Sequence, residues 1–140
     1  MEKNPSCDGP LKSIWGKAIR LILLLAWVNV PIVAAFPYDI GNAVALLGGA
    51  AVLLAALVTF AGQLFGEAVG RSIALVGLQG QAALIVAAMA GGAWQVDGHM
   101  YFFALLAVGV LMIDGRAIIA SAAFIAVHHL LLNFVVPGLI

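Results

Sequence analysis

The residues of this sequence best suited to chemistry are its three histidines. His99 lies in Trp94-Gln-Val-Asp-Gly-His99-Met-Tyr-Phe-Phe103, and the pair His128-His129 is followed by Leu-Leu-Leu-Asn133-Phe-Val-Val-Pro137. The surrounding sequence is apolar enough to lie in lipid, where an ionisable side chain is costly and marks a candidate site by default. Imidazole is a ligand for zinc, copper, nickel and iron, haem iron included. The sequence therefore admits a transition metal (copper, zinc or iron) or haem b, bound by His99, His128 and His129 with Asp97 or Met100 close by. Two other chemistries fit the same residues. One is a His/Asn/Gln hydrogen-bond network that holds helices together, and the other is a proton-linked or small-ligand pocket, because imidazole can switch charge near neutrality. The only cysteine is Cys7, far from the histidines, and no His-x-x-x-His spacing occurs, so the pattern does not select a metal.

The elements that must position these residues are membrane helices. The chain has 140 residues, of which 65% are hydrophobic and 9% charged, with a mean hydropathy of +1.19, whereas soluble domains carry about 25% charged residues. A soluble domain is excluded, and a formal net charge of +0 gives no reason to expect a nucleic-acid partner. A helix needs ~20 apolar residues to cross ~30 Å of hydrocarbon. The apolar runs predict helices over 17–36, 41–62, 72–92, 97–113 and 117–137, an all-α integral membrane bundle of five transmembrane helices. Residues 1–16 read as a polar cytoplasmic tail and 17–140 as a single transmembrane domain. Lys3, Lys12, Lys17 and Arg20 precede the first helix, Arg71 follows the second and Arg116 follows the fourth. By the positive-inside rule the N-terminus is cytoplasmic and the C-terminus external.

Within the helices, Asn29 and Pro31 interrupt the first, and Pro31 is expected to kink it. Gly48 and Gly49 would let another backbone approach the second. Glu67 and Arg71 read as a solvated pair in a cytoplasmic loop, Gln79 and Gln81 as interhelical hydrogen-bonding groups, and Trp94 as an interfacial anchor. Asp114-Gly115-Arg116 reads as a tight turn whose glycine can take positive φ. That turn makes the last two helices antiparallel neighbours. At 1.5 Å per residue, His99 lies ~21 Å above the inner end of its helix, and His128 and His129 lie ~18 Å above the start of theirs. Asn29 falls at ~18 Å on the first helix, so the sequence predicts one polar layer. Adjacent helical residues point about 100° apart, so His128 and His129 cannot both face His99 squarely. Asp97, Asn133 and Asn29 are the candidate orienting residues around the histidines.

The pattern Trp94-Gln-Val-Asp-x-His99-Met-Tyr-Phe-Phe-Ala104, Asp114-x-Arg116 and Ala126-x-His128-His129-Leu-x-Leu-Asn133-Phe-x-x-Pro137 resembles the multi-spanning N-terminal membrane module of alphaproteobacterial methyl-accepting chemotaxis proteins. Related modules precede diguanylate cyclase domains. The resemblance covers the last third of the chain. Departures are Asn29, where a histidine is expected, Gly98 in place of a Met, and Gly115 in place of a Trp. The resemblance implies a multi-pass protein of the bacterial inner membrane, acting as a sensory receptor module in chemotaxis-like signal transduction, with a homodimer or larger membrane complex as its assembly. Such a receptor continues into further membrane sequence and a cytoplasmic signalling domain, whereas this chain stops at Ile140, outside by the predicted topology. The expectation is a non-enzymatic sensory or ligand-binding module in the lipid bilayer that signals to an effector. The alternative is a small accessory subunit of a larger membrane complex, respiratory or photosynthetic.

Overall fold

The computed structural model describes residues 8–36 and 41–135. They form α1 (Asp8–Ala35), α2 (Gly41–Phe65), α3 (Glu67–Ala88), α4 (Gln95–Gly109) and α5 (Gly115–Val135), with a 3-10 turn over Val110–Met112 between the last two. Together with that turn for α4, all five are long and apolar enough to cross a membrane. Helices are the natural outcome, because a segment in hydrocarbon must satisfy its own backbone N–H and C=O groups. The chain is an all-α, multi-pass membrane protein.

α1 starts well before the predicted boundary. Leu11, Trp15, Ala18 and Ile22 repeat every three or four residues on one face, so the apolar stripe extends into what the sequence reads as a tail. The helix is continuous through Pro31. The predicted external turn at Pro37-Tyr38-Asp39 lies outside the described residues, as do Lys3, Cys7 and Pro137.

α3 is the central helix and touches each of the other four. Its Ala74, Leu75, Leu78, Ala82 and Val86 are buried against Ile22 and Ala26 of α1, Ala55 and Val58 of α2, and Phe102 and Leu105 of α4. A single residue, Gly66 at φ 78°, connects α2 to α3. The two backbones then run so close that a Cβ on Gly70 would lie 2.6 Å from the Gly62 Cα. Gly48 and Gly49, which the sequence suggested for close packing, have nothing within 4 Å of an added Cβ.

Basic residues gather at the end where α1, α3 and α5 begin, called the basic end below. Here Arg71 does not pair with Glu67 as expected. Its Nε donates to Asp114 Oδ2 at 2.7 Å, and its guanidinium lies 4.4 Å from the Trp15 ring centroid. The Arg71 hydrogen bond holds the Asp114 carboxyl below its ordinary range. Asp114 also caps α5, its Oδ1 accepting the Arg116 backbone N–H at 3.1 Å. The positive φ of this turn falls on Ile113, at 47°, and not on Gly115, which is already the first residue of α5. After this turn α5 packs chiefly on α3 and meets α4 less extensively. Only Ala117 and Ser121 of α5 are buried.

Candidate functional site

Toward the opposite end, α4 and α5 bring the three histidines around one aromatic ring. The His99 and His129 ring centroids are 5.6 Å apart, and those of His128 and His129 are 5.5 Å apart. Phe102, one helical turn after His99 and fully buried, sits 6.4 Å from His99, 5.4 Å from His128 and 5.5 Å from His129. Phe124 stacks on the far side of His128 at 6.1 Å.

Two of the imidazoles are fixed by their own helices. His99 Nδ1 lies 2.9 Å from the Gln95 carbonyl, and His129 Nδ1 lies 2.8 Å from the Ile125 carbonyl. A carbonyl oxygen only accepts, so each Nδ1 carries the proton, and in the neutral ring Nε2 presents a lone pair. His99 Nε2 and His128 Nε2 are buried without a hydrogen-bond partner. An unpaired buried polar atom costs about 1–3 kcal/mol, so this group of rings is under-satisfied as it stands.

The other predicted members go elsewhere. Asp97 is exposed and lines a cleft on the other side of α4, because two residues of helix separate it from His99 by about 200°. Asn133 is exposed on α5 and bonds to neither histidine. Among the described residues, no group of three or more His, Cys, Asp or Glu side chains could hold a metal ion as placed. Phe102 packs beside all three imidazoles, which also meet one another through His129.

Asn29 belongs to a second polar centre, separate from the histidines. Its Oδ1 accepts the Tyr101 hydroxyl at 2.7 Å, and its Nδ2 donates to Gln81 Oε1 at 3.3 Å. Gln81 Nε2 donates to the Ala26 carbonyl at 2.9 Å and the Ala51 carbonyl at 3.2 Å. Four helices, α1 to α4, are thereby joined through buried amides. Gln79 adds a bond from Nε2 to the Phe102 carbonyl at 3.3 Å, which ties α3 to the residue at the centre of the histidines.

No family model, curated protein or solved structure matches the chain.

Three features escaped the sequence reading: the place of Phe102 among the histidines, the pairing of Gln81 with Asn29, and the bond from Tyr101 to Asn29. Phe102 was legible as the residue one turn beyond His99 on the same face. Gln81 lies ~21 Å along α3 from Glu67, close to the depth of Asn29, so the same depth count applied to every buried amide finds that pair. Tyr101 carries no comparable signal, because nothing in the sequence says which of four consecutive large residues turns toward α1.

Proposed function

We propose that this protein is a membrane-embedded sensory module whose input element is the group His99, His128 and His129, and whose ligand is a transition metal ion. The observation that carries this reading is the pair of buried, unpartnered Nε2 atoms on His99 and His128. Metal-ligating histidines commonly donate the second ring N–H to a carbonyl, which fixes the tautomer and leaves Nε2 for the metal. His99 and His129 already have that arrangement. Imidazole selects zinc, copper, iron or nickel over hard cations. Binding requires the rings to turn toward a common centre, against Phe102. The ligand-free and ligand-bound states therefore differ in how α4 meets α5, and a ligand with unequal affinity for two packings shifts their populations. An effector attached to or associated with α5 would read that shift.

The test is equilibrium dialysis of the purified protein in neutral detergent against zinc and, separately, copper, followed by metal analysis. Stoichiometric uptake is expected, lost in both His99→Ala and His128→Ala. A protein that stays folded and metal-free at saturating metal, or variants that retain full uptake, would overturn the reading.

A second reading, the accessory subunit, is supported by the outer face of α5, where Ile119, Val127, Leu130, Leu131 and Phe134 are all exposed. Co-purification with other membrane subunits at fixed stoichiometry is its expected signature.

A further inference from the structure

Beside the face that carries His99 and Phe102, α4 presents a second set of residues to a cleft of ≈ 600 Å³ between α1, α3 and α4. Its walls are Ile32 of α1 with Phe36 just beyond its end, Ile85 of α3 with Met89 just beyond it, and Trp94 just before α4 with Asp97, Gly98 and Tyr101 in its first turns. Gly98 forms part of this wall because α4 comes close to α3 there: a Cβ at that position would lie 3.0 Å from Met89 Sδ and 3.6 Å from Val86 Cγ2. The Tyr101 hydroxyl is committed to Asn29. That leaves the Asp97 carboxylate as the polar side chain free to receive a guest. Among the described residues it makes no hydrogen bond or ion pair.

We infer that this cleft binds an amphiphilic organic cation, its ammonium set against the Asp97 carboxylate and between the Trp94, Tyr101 and Phe36 rings, and its apolar body along Ile32, Ile85 and Met89. Aromatic faces attract a desolvated ammonium through the ring quadrupole, and aromatic walls are a recurrent way of recognising substituted ammonium groups. One carboxylate supplies the complementary charge. A cleft that is otherwise apolar rejects a strongly hydrated inorganic cation, which would lose its water without replacement ligands. Asp97 also lies in the first turn of α4, where a negative charge favours the helix. That role requires neither the cleft nor the aromatic side chains that share its lining. The inference does not rest on the histidine group, so the two sites can be tested apart.

The experiment is isothermal titration of the purified full chain in maltoside micelles with 4-phenylbutyltrimethylammonium, and with uncharged 4-phenylbutanol as the shape-matched control. Saturable binding of the cation is expected, with the alcohol at least tenfold weaker. Asp97→Asn keeps the size and helical position of the residue and should weaken cation binding about tenfold or more. Trp94→Ala, at an exposed position outside the core, should weaken it several-fold. Equal binding of cation and alcohol would show a plain acyl-chain groove and overturn the inference, as would an Asp97→Asn protein that binds the cation unchanged. His99→Ala should leave this binding intact, whatever it does to metal uptake.

Discussion

Asn29 is the residue on which the buried polar network turns, accepting from Tyr101 and donating to Gln81. Interhelical hydrogen bonds in membranes average only ~0.6 kcal/mol when measured pairwise. Replacing Asn29 by Leu removes more than a bond, since it strands the Tyr101 hydroxyl and the Gln81 carbonyl oxygen in a buried place. The expected loss is therefore nearer the desolvation cost of unpaired groups, about 1–3 kcal/mol, read as a lower midpoint in reversible unfolding in mixed micelles. Tyr101→Phe in the Asn29→Leu background should recover part of it, because a stranded group that is deleted no longer costs anything. At this scale the sequence was partly legible. Asn29, Gln79 and Gln81 announce themselves as amides in lipid, and Gln79 and Gln81 do bond between helices. Which amide meets which partner was not legible, because that depends on helix rotation, and the hydrophobic pattern of an all-apolar helix fixes rotation poorly. Asp97 shows the reverse case. Its distance from His99 along the chain suggested a partner, and its angle around the helix denied it.

Among the elements, the α2–α3 pair is set by glycine, though not by the glycines that stand together in sequence. An added Cβ at Gly70 would lie 2.6 and 2.8 Å from backbone atoms of Gly62 and 3.0 Å from the backbone of Ala61, and backbone cannot swing aside as a side chain can. Gly70→Ala should separate the two helices locally and destabilise the protein by about 1–3 kcal/mol. Gly48→Ala meets nothing within 4 Å and should be neutral or stabilising by up to ~1 kcal/mol through helix propensity. Thermal unfolding of the two variants beside the parent protein checks both. If Gly48→Ala is instead the damaging one, Gly48 is a contact between chains. Helix number, order and class were legible from apolar run lengths. The start of α1 and the positive φ at Ile113 were not, the first because a polar-looking segment carried a hidden apolar stripe, the second because Asp114 takes the capping role and places the turn before itself.

For the whole molecule, charge distribution is the feature that bears on placement in a membrane. Arg71, Asp114 and Trp15 fasten α1, α3 and the start of α5 at the basic end, while the histidines and the Asp97 cleft lie toward the other. The positive-inside rule proposes a cytoplasmic basic end, an orientation that would put both candidate sites in the outer half of the bilayer. Cys7, the only thiol in the sequence, makes this testable without adding a reporter. A membrane-impermeant maleimide should label it in inverted vesicles and fail to label it in intact spheroplasts, and labelling in intact spheroplasts would overturn the proposed orientation.

The one-residue link at Gly66 also bears on how the molecule assembles. Closing a loop costs entropy that grows with its length, and no connection between the described helices is shorter than this one. Early contacts between α2 and α3 therefore carry the smallest ordering cost of any helix pair among them. The α2–α3 hairpin is the pair whose formation is expected to cost least, and it offers α3, which touches each of the other helices, as a surface for their packing. A residue inserted beside Gly66 would thus be felt first in the yield and rate of folding, before it is felt at either candidate site.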